Sequence, residues 1–109
     1  MSFRSGGRET FLAFLPGTDE IIAAATLAAD RTGETAEVAI SIDADYKGCG
    51  IGWTLLDHVA AEARHWGIRR LRSIESRENH AAISLEREKG FSARVVEGDA
   101  TLVMLERCF

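Results

Sequence analysis

Apolar positions along this chain follow two different periods, and the places where one gives way to the other lay out the elements. Thr10 to Leu15 is apolar and stops at Pro16-Gly17-Thr18-Asp19, a turn signal. Glu20 to Ala29 is ambiguous, because its alanines favour a helix on propensity while the span is short for one. The hairpin turn Asp30-Arg31-Thr32-Gly33-Glu34 and the strand from Glu37 to Ile42 follow it, so the alanine-rich span reads as a strand. From Ile51 to Trp66 the period lengthens. Ile51, Leu55, Val59 and Ala63 share one helical face, flanked by Leu56, Ala60 and Trp66, and Gly67 ends the helix. Ile68 to Glu75 has the β-branched content of a strand. A second helix fits from the N-cap Asn79 to Lys89, where Gly90 stops it, with Ala82, Ile83 and Leu85 as its apolar side. Phe91 to Val96 and Thr101 to Glu106 close the chain as two strands around a hairpin at Glu97-Gly98-Asp99. Three strands, helix, strand, helix and two strands make a mixed α/β sheet.

Composition narrows the function classes. The chain has 109 residues, enough for a single domain over 1–109 with one packed core. Thirteen basic residues stand against 17 acidic ones, a net charge of -4, which argues against a nucleic-acid backbone as the main partner. The local basic cluster of Arg69, Arg70 and Arg72 reads as a solvated strand edge. Its longest apolar run, Ile21 to Ala29, falls far short of the roughly 20 residues that span a bilayer. With two distant cysteines, Cys49 and Cys108, and no apolar leader in the first residues, a cytoplasmic protein with reduced thiols is expected.

The segment Asp45-Tyr46-Lys47-Gly48-Cys49-Gly50-Ile51-Gly52 carries the chemistry. It joins a strand to a helix, and its three alternate glycines allow a backbone to approach a ligand closely. The helix behind it offers unpaired N–H groups and the positive end of its dipole, which favour an anion such as a phosphate. A dinucleotide fingerprint would need glycine at position 53, where Trp53 stands, and the Gly-Lys-Ser/Thr triplet of a nucleoside-triphosphate loop is absent.

Two motifs together resemble the GNAT superfamily of N-acetyltransferases. Lys47-Gly48-Cys49-Gly50-Ile51-Gly52 is similar to that family's Arg/Gln-x-x-Gly-x-Gly/Ala turn. Glu78-Asn79, Ala82-Ile83, Leu85 and Gly90-Phe91 resemble its Asn-x-x-Ala helix running into Gly-Phe. The matched region, residues 36 to 91, is about half of the chain. The resemblance implies an acyl-CoA N-acyltransferase fold lacking the family's first strand and two helices. It also implies acetyl-CoA as co-substrate, with its pyrophosphate on the backbone of Lys47, Gly48, Cys49, Gly50, Ile51, Gly52 and Trp53. The pantetheine arm would pair with the strand edge at Ile40 and Ile42, and Asn79 would bond that arm or cap its own helix.

For the chemistry, the resemblance to bacterial protein-lysine acetyltransferase domains implies Glu37 as the base that deprotonates a primary amine, with Asp43 and Asp45 as weaker candidates. A backbone N–H near Ile42 would hold the oxyanion. The family often places a tyrosine after the leucine of its second motif, as the acid that protonates the coenzyme sulfur. Here Glu86 follows Leu85, and an ordinary glutamate, with a pKa of about 4.3, would repel a thiolate unless buried and neutral. The expected activity is acetyl transfer to a small amine or a protein amine; the alternative is a non-catalytic acyl-CoA-binding module. A family domain is longer at its N-terminus, so part of the acceptor wall is expected to be missing, and a homodimer is one way to complete it. His58, Glu62 and His65 lie on one side of the first helix but fit its polar face better than a metal site, and no metal is expected.

Overall fold

The computed structural model describes residues 2–5, 7–48 and 50–109. Its strands are β1 (Ser2–Ser5), β2 (Arg8–Phe14), β3 (Ile21–Ala29), β4 (Thr35–Ile42), β5 (Arg70–Ser76), β6 (Ser92–Val96) and β7 (Asp99–Cys108). Two helices, α1 (Ile51–His65) and α2 (His80–Glu88), flank β5 in sequence. Spatially the strands run β1-β2-β3-β4-β5-β7-β6. The β4–β5 pair is parallel and every other pair is antiparallel. The parallel pair arises because α1 lies between its two strands, as a crossover requires.

The alanine-rich span is a strand, as the sequence predicts, and pairing explains why. Ala25 and Leu27 sit opposite Ile40 and Val38 of β4 and face the helices, nearly free of solvent exposure. Small side chains on this strand let α1 approach the sheet closely. That helix buries Leu55, Leu56, Val59, Ala60 and Ala63 against β2, β3 and β4. The predicted stripe from Ile51 to Ala63 is thus the core face.

Both helices end as their glycines dictate. Gly67 is left-handed (φ +83°); its N–H donates to the Arg64 carbonyl, and Ile68 N–H donates to that of Ala63. Gly90 (φ +92°) repeats the pattern on α2, with Phe91 N–H donating to the Glu86 carbonyl.

The sheet is covered on one face only, among the described residues. Ser73 of β5 contacts Glu86 of α2, and Ser73 shares its face with Leu71 and Leu105, so α2 lies on the same side as α1. The opposite face presents Glu37 and Ile74, both exposed, with Met104. One strand differs from expectation: Ser2–Ser5 pairs with β2 where the sequence suggests only a polar lead-in. Its four residues carry no turn or alternation signal long enough to mark a strand.

One irregularity positions everything that follows. The parallel ladder between β4 and β5 consists of Thr35↔Arg70, Ala36↔Leu71 and Glu37↔Arg72. Beyond Glu37, β4 continues to Ile42 and β5 to Ser76 without pairing to each other. The two strands fork, which leaves backbone donors and acceptors on the inner edge of β4 open.

Candidate functional site

The glycine turn builds one wall of the site. At the end of β4 the Asp43 carboxylate accepts the Asp45 N–H at 3.0 Å and winds Ala44–Tyr46 into a short 3₁₀ turn. Gly48 and Gly50 both take φ +82°, a left-handed conformation that side chains disfavour. Gly50 is the N-cap of α1, and having no side chain it leaves the first-turn N–H groups of the helix without a side-chain acceptor. Gly52 is glycine for a different reason. A Cβ there would sit 2.8 Å from Leu85 Cδ2 and 2.9 Å from Ile42 Cδ1, so it allows α1, α2 and β4 to meet. Only Gly48 and Gly50 therefore serve the turn's conformation. Cys49 lies outside the described residues.

Between this turn, the fork and α2 lies a cavity of about 680 Å³. Of the residues predicted to hold the coenzyme, Ile40, Ile42, Lys47, Gly48, Gly50, Gly52, Trp53 and Asn79 line it. Ile51 does not, and instead packs against the core. Trp53 is 47% exposed and held in place by Lys89, whose Nζ lies 3.7 Å from the ring centroid and 2.8 Å from Asp57 Oδ2. That ammonium ties α2 to α1 beside the cavity.

The deep wall is a carboxyl cluster. Glu86 is 3% exposed, and its Oε1 has no hydrogen-bond partner among the described residues. Its Oε2 lies 3.4 Å from Ser73 Oγ, which donates to Glu75 Oε1 at 2.9 Å. Asn79 Nδ2 donates to the other Glu75 oxygen at 3.3 Å, while Asn79 Oδ1 accepts the Ala82 N–H and caps α2. Burial pushes the Glu86 carboxyl up to about 8; the Ser73 hydroxyl pulls the other way, and the charge of Glu75 adds to the rise. Glu86 is thus mainly neutral at pH 7, which meets the condition the sequence set for it.

The turn that presents helix N–H groups, the forked parallel pair and the cavity joining them form one site, and comparison with known proteins decides the family. The model of the acetyltransferase (GNAT) family matches residues 2–91. The chain belongs to that family. Among GNAT structures, the GNAT domain of S. lividans PAT matches with a TM-score of 0.82 and 27% identity, over 94% of this chain and 61% of that one. An acetyltransferase of the GNAT family from Streptococcus pneumoniae gives 0.81 and 26%, over 94% and 68%. The Campylobacter jejuni N-acetyltransferase PseH, in complex with acetyl coenzyme A, gives 0.75 and 18% over 95% and 70%, which shows the shared fold. Acetyl-CoA is the co-substrate of GNAT enzymes. The chain spans less than two thirds of the S. lividans domain's length.

Glu37, expected as the base, lies apart from the residues that line the large cavity. It does not line the large cavity; it stands at the last rung of the β4–β5 ladder and faces the helix-free side, in a groove of about 410 Å³ with Asp30, Arg72, Ile74 and Met104. Arg72 is its cross-strand neighbour, yet the guanidinium bonds Glu106 at 2.6 Å, and Glu37 is left exposed. His58 packs edge-on against Phe11, and Glu62 accepts the indole N–H of Trp66, so these residues have structural partners. No helix of the described residues is long and apolar enough to cross a membrane.

Ser73 and Glu75 are site residues that the sequence reading misses. The signal for them is the alternation of β5: Leu71 is fully buried, so Ser73 and Glu75 share its inward face, and a glutamate at an inward strand position calls for a partner.

Proposed function

We propose that this domain binds acetyl-CoA in the large cavity and transfers its acetyl group to a primary amine by direct attack on the thioester. What supports the reading is that one cavity, of a size usual for small-molecule sites, joins the glycine turn, the open edge of β4 and the neutral carboxyl of Glu86. The diphosphate would rest on main-chain N–H groups from Lys47 to Trp53, where fixed donors and the helix dipole suit spread-out negative charge. The pantetheine amides would bond the unpaired edge near Ile40 and Ile42, and the Lys47 ammonium adds positive charge beside the phosphates. A free N–H at that edge, near Ile42, would stabilise the oxyanion.

Glu37 serves as base from the opposite face. The fork opens at its own position, so an amine in the smaller groove would reach the thioester through the gap between the strands. With Asp30 also lining that groove, a cationic amine is favoured there over an anionic one before its proton is removed. A small amine and a protein amine both present the same reacting nitrogen.

Calorimetric titration with acetyl-CoA, coenzyme A and ATP, followed by thiol release across a panel of primary amines, tests the reading. Acetyl-CoA should bind in preference to ATP and at least one amine should be acetylated. Glu37→Gln should lower kcat/KM about 100-fold, the lower end of what a general base contributes, while acetyl-CoA affinity is unchanged. Binding without turnover on any amine would replace this proposal with that of a non-catalytic acyl-CoA-binding module.

A further inference from the structure

The helix-free face carries a row of side chains that crosses the sheet where the fork opens. Register places Ala28, Glu37, Arg72 and Glu106 side by side on β3, β4, β5 and β7, all on this face. Arg72 thus has a carboxylate on either side, each one strand spacing away, about 4.8 Å between backbones. It serves only one of them. Its Nε lies 2.6 Å from Glu106 Oε2, and Arg94 Nη2 reaches the same oxygen at 3.3 Å. The Arg72 hydrogen bond, with the charges of Arg72, Arg94 and Arg70, holds the Glu106 carboxyl below the usual carboxylate range, so it stays ionised at neutral pH. No ion pair joins Glu37 to Arg72 among the described residues. Its other neighbours on this face leave it unpaired as well. Ala28 is uncharged, Asp30 of the shared groove is a second carboxylate, Arg70 stands two residues back along β5, and Arg8 lies beyond Ala28 on β2. A guanidinium bonded to Glu37 would occupy the oxygens that a base needs and lower its affinity for a proton.

We propose that Glu106 is a positioning residue for the base: it draws Arg72 toward β7 and so leaves both carboxylate oxygens of Glu37 free for the acceptor amine. The inference rests on the reading of Glu37 as the base for acetyl transfer. Glu106 lines neither cavity and acts through Arg72. Because the bond is made by Nε, close to the stem of the side chain, the guanidinium cannot turn to β4 without breaking it. The pairing also offsets the charge of Arg72, which lines the smaller groove and would otherwise repel an incoming ammonium. Arg94, on the far side of Glu106, adds a second positive charge that keeps that carboxylate ionised and in place.

Glu106→Gln keeps the size of the side chain but offers Arg72 a neutral oxygen, a weaker acceptor than the carboxylate of Glu37 on the other side. Arg72 should then pair with Glu37. The side-chain carboxyl ¹³C signal of Glu37, followed through a pH titration, should show a midpoint about one pH unit lower than in the wild-type protein. At pH 7, kcat/KM should fall about tenfold while acetyl-CoA affinity is unchanged and thermal unfolding remains cooperative. Arg72→Gln supplies the second background. Adding Glu106→Gln to it should move the Glu37 midpoint by less than about 0.3, because Glu106 stands two strand spacings, about 10 Å, from Glu37 across screened solvent. A merely structural role for Glu106 would not depend on Arg72 in this way. An unchanged midpoint in Glu106→Gln, or an equal fall with and without Arg72, overturns the proposal. Should wild-type protein acetylate no amine while the Arg72-dependent fall is present, acetyl transfer fails and the hold of Glu106 on Arg72 stands.

Discussion

At the scale of single residues, Glu86 sets the electrostatics of the cavity's deep wall. An inward position on α2 should carry an apolar residue, since Ala82 and Ile83 stand four and three residues before it on the same helical face. Instead a carboxyl is buried there, and it escapes the cost of a buried charge by holding its proton. Its pKa is raised from 4.5 to about 8 by burial, with Glu75 as the charged neighbour across Ser73. The folded state therefore binds this proton more tightly than the unfolded chain does. Its contribution to stability is complete below about pH 4.5 and is lost as the pH climbs through about 8. Urea unfolding between pH 5 and 8.5 should show wild-type stability falling relative to Glu86→Gln by on the order of a few kcal/mol. Parallel curves for the two proteins would mean that Glu86 is not neutral when folded.

At the scale of elements, the site depends on two strands that part and on a helix that is capped at the gap. Asn79 does two jobs with one amide: its oxygen caps α2 and its nitrogen steadies Glu75. Asn79→Asp keeps the capping oxygen and should preserve most stability, but it sets a second carboxylate against Glu75 and should weaken catalysis. Asn79→Ala loses both jobs and should cost about 1 kcal/mol, measurable by thermal or urea unfolding. Much of this was legible in the sequence. The cap, the glycine stops of both helices, the strand made of alanines and the glycine turn all follow from local chemistry. The fork does not, because it depends on where a parallel ladder ends, which no local pattern in β4 or β5 encodes; only the resemblance to the GNAT superfamily implied that the strands splay there. The same limit hid Ser73 and Glu75, which bond each other within β5 but whose further partners, Glu86 and Asn79, lie beyond that strand. Glu37 was legible as a candidate but not its face, which follows from β4 register: Val38 and Ile40 turn toward the helices, so Glu37 turns away.

At the scale of the whole molecule, the sheet carries a different cavity on each of its two faces. The helix-covered face holds the core and the large cavity, and Lys89–Asp57 together with Gly52 keep the helices close enough to enclose it. The other face, free of helices among the described residues, carries Glu37 and the smaller groove. Donor and acceptor would thus approach from opposite sides and meet where β4 leaves β5. Docking of the diphosphate at the glycine turn is the claim on which this arrangement depends. A ¹H–¹⁵N NMR titration of the protein with acetyl-CoA reads it directly. The largest amide shifts should fall on Gly48, Gly50, Ile51, Gly52 and Trp53, with smaller ones along Ile40 to Ile42. Shifts confined to other parts of the chain, or none at saturating ligand, would contradict it.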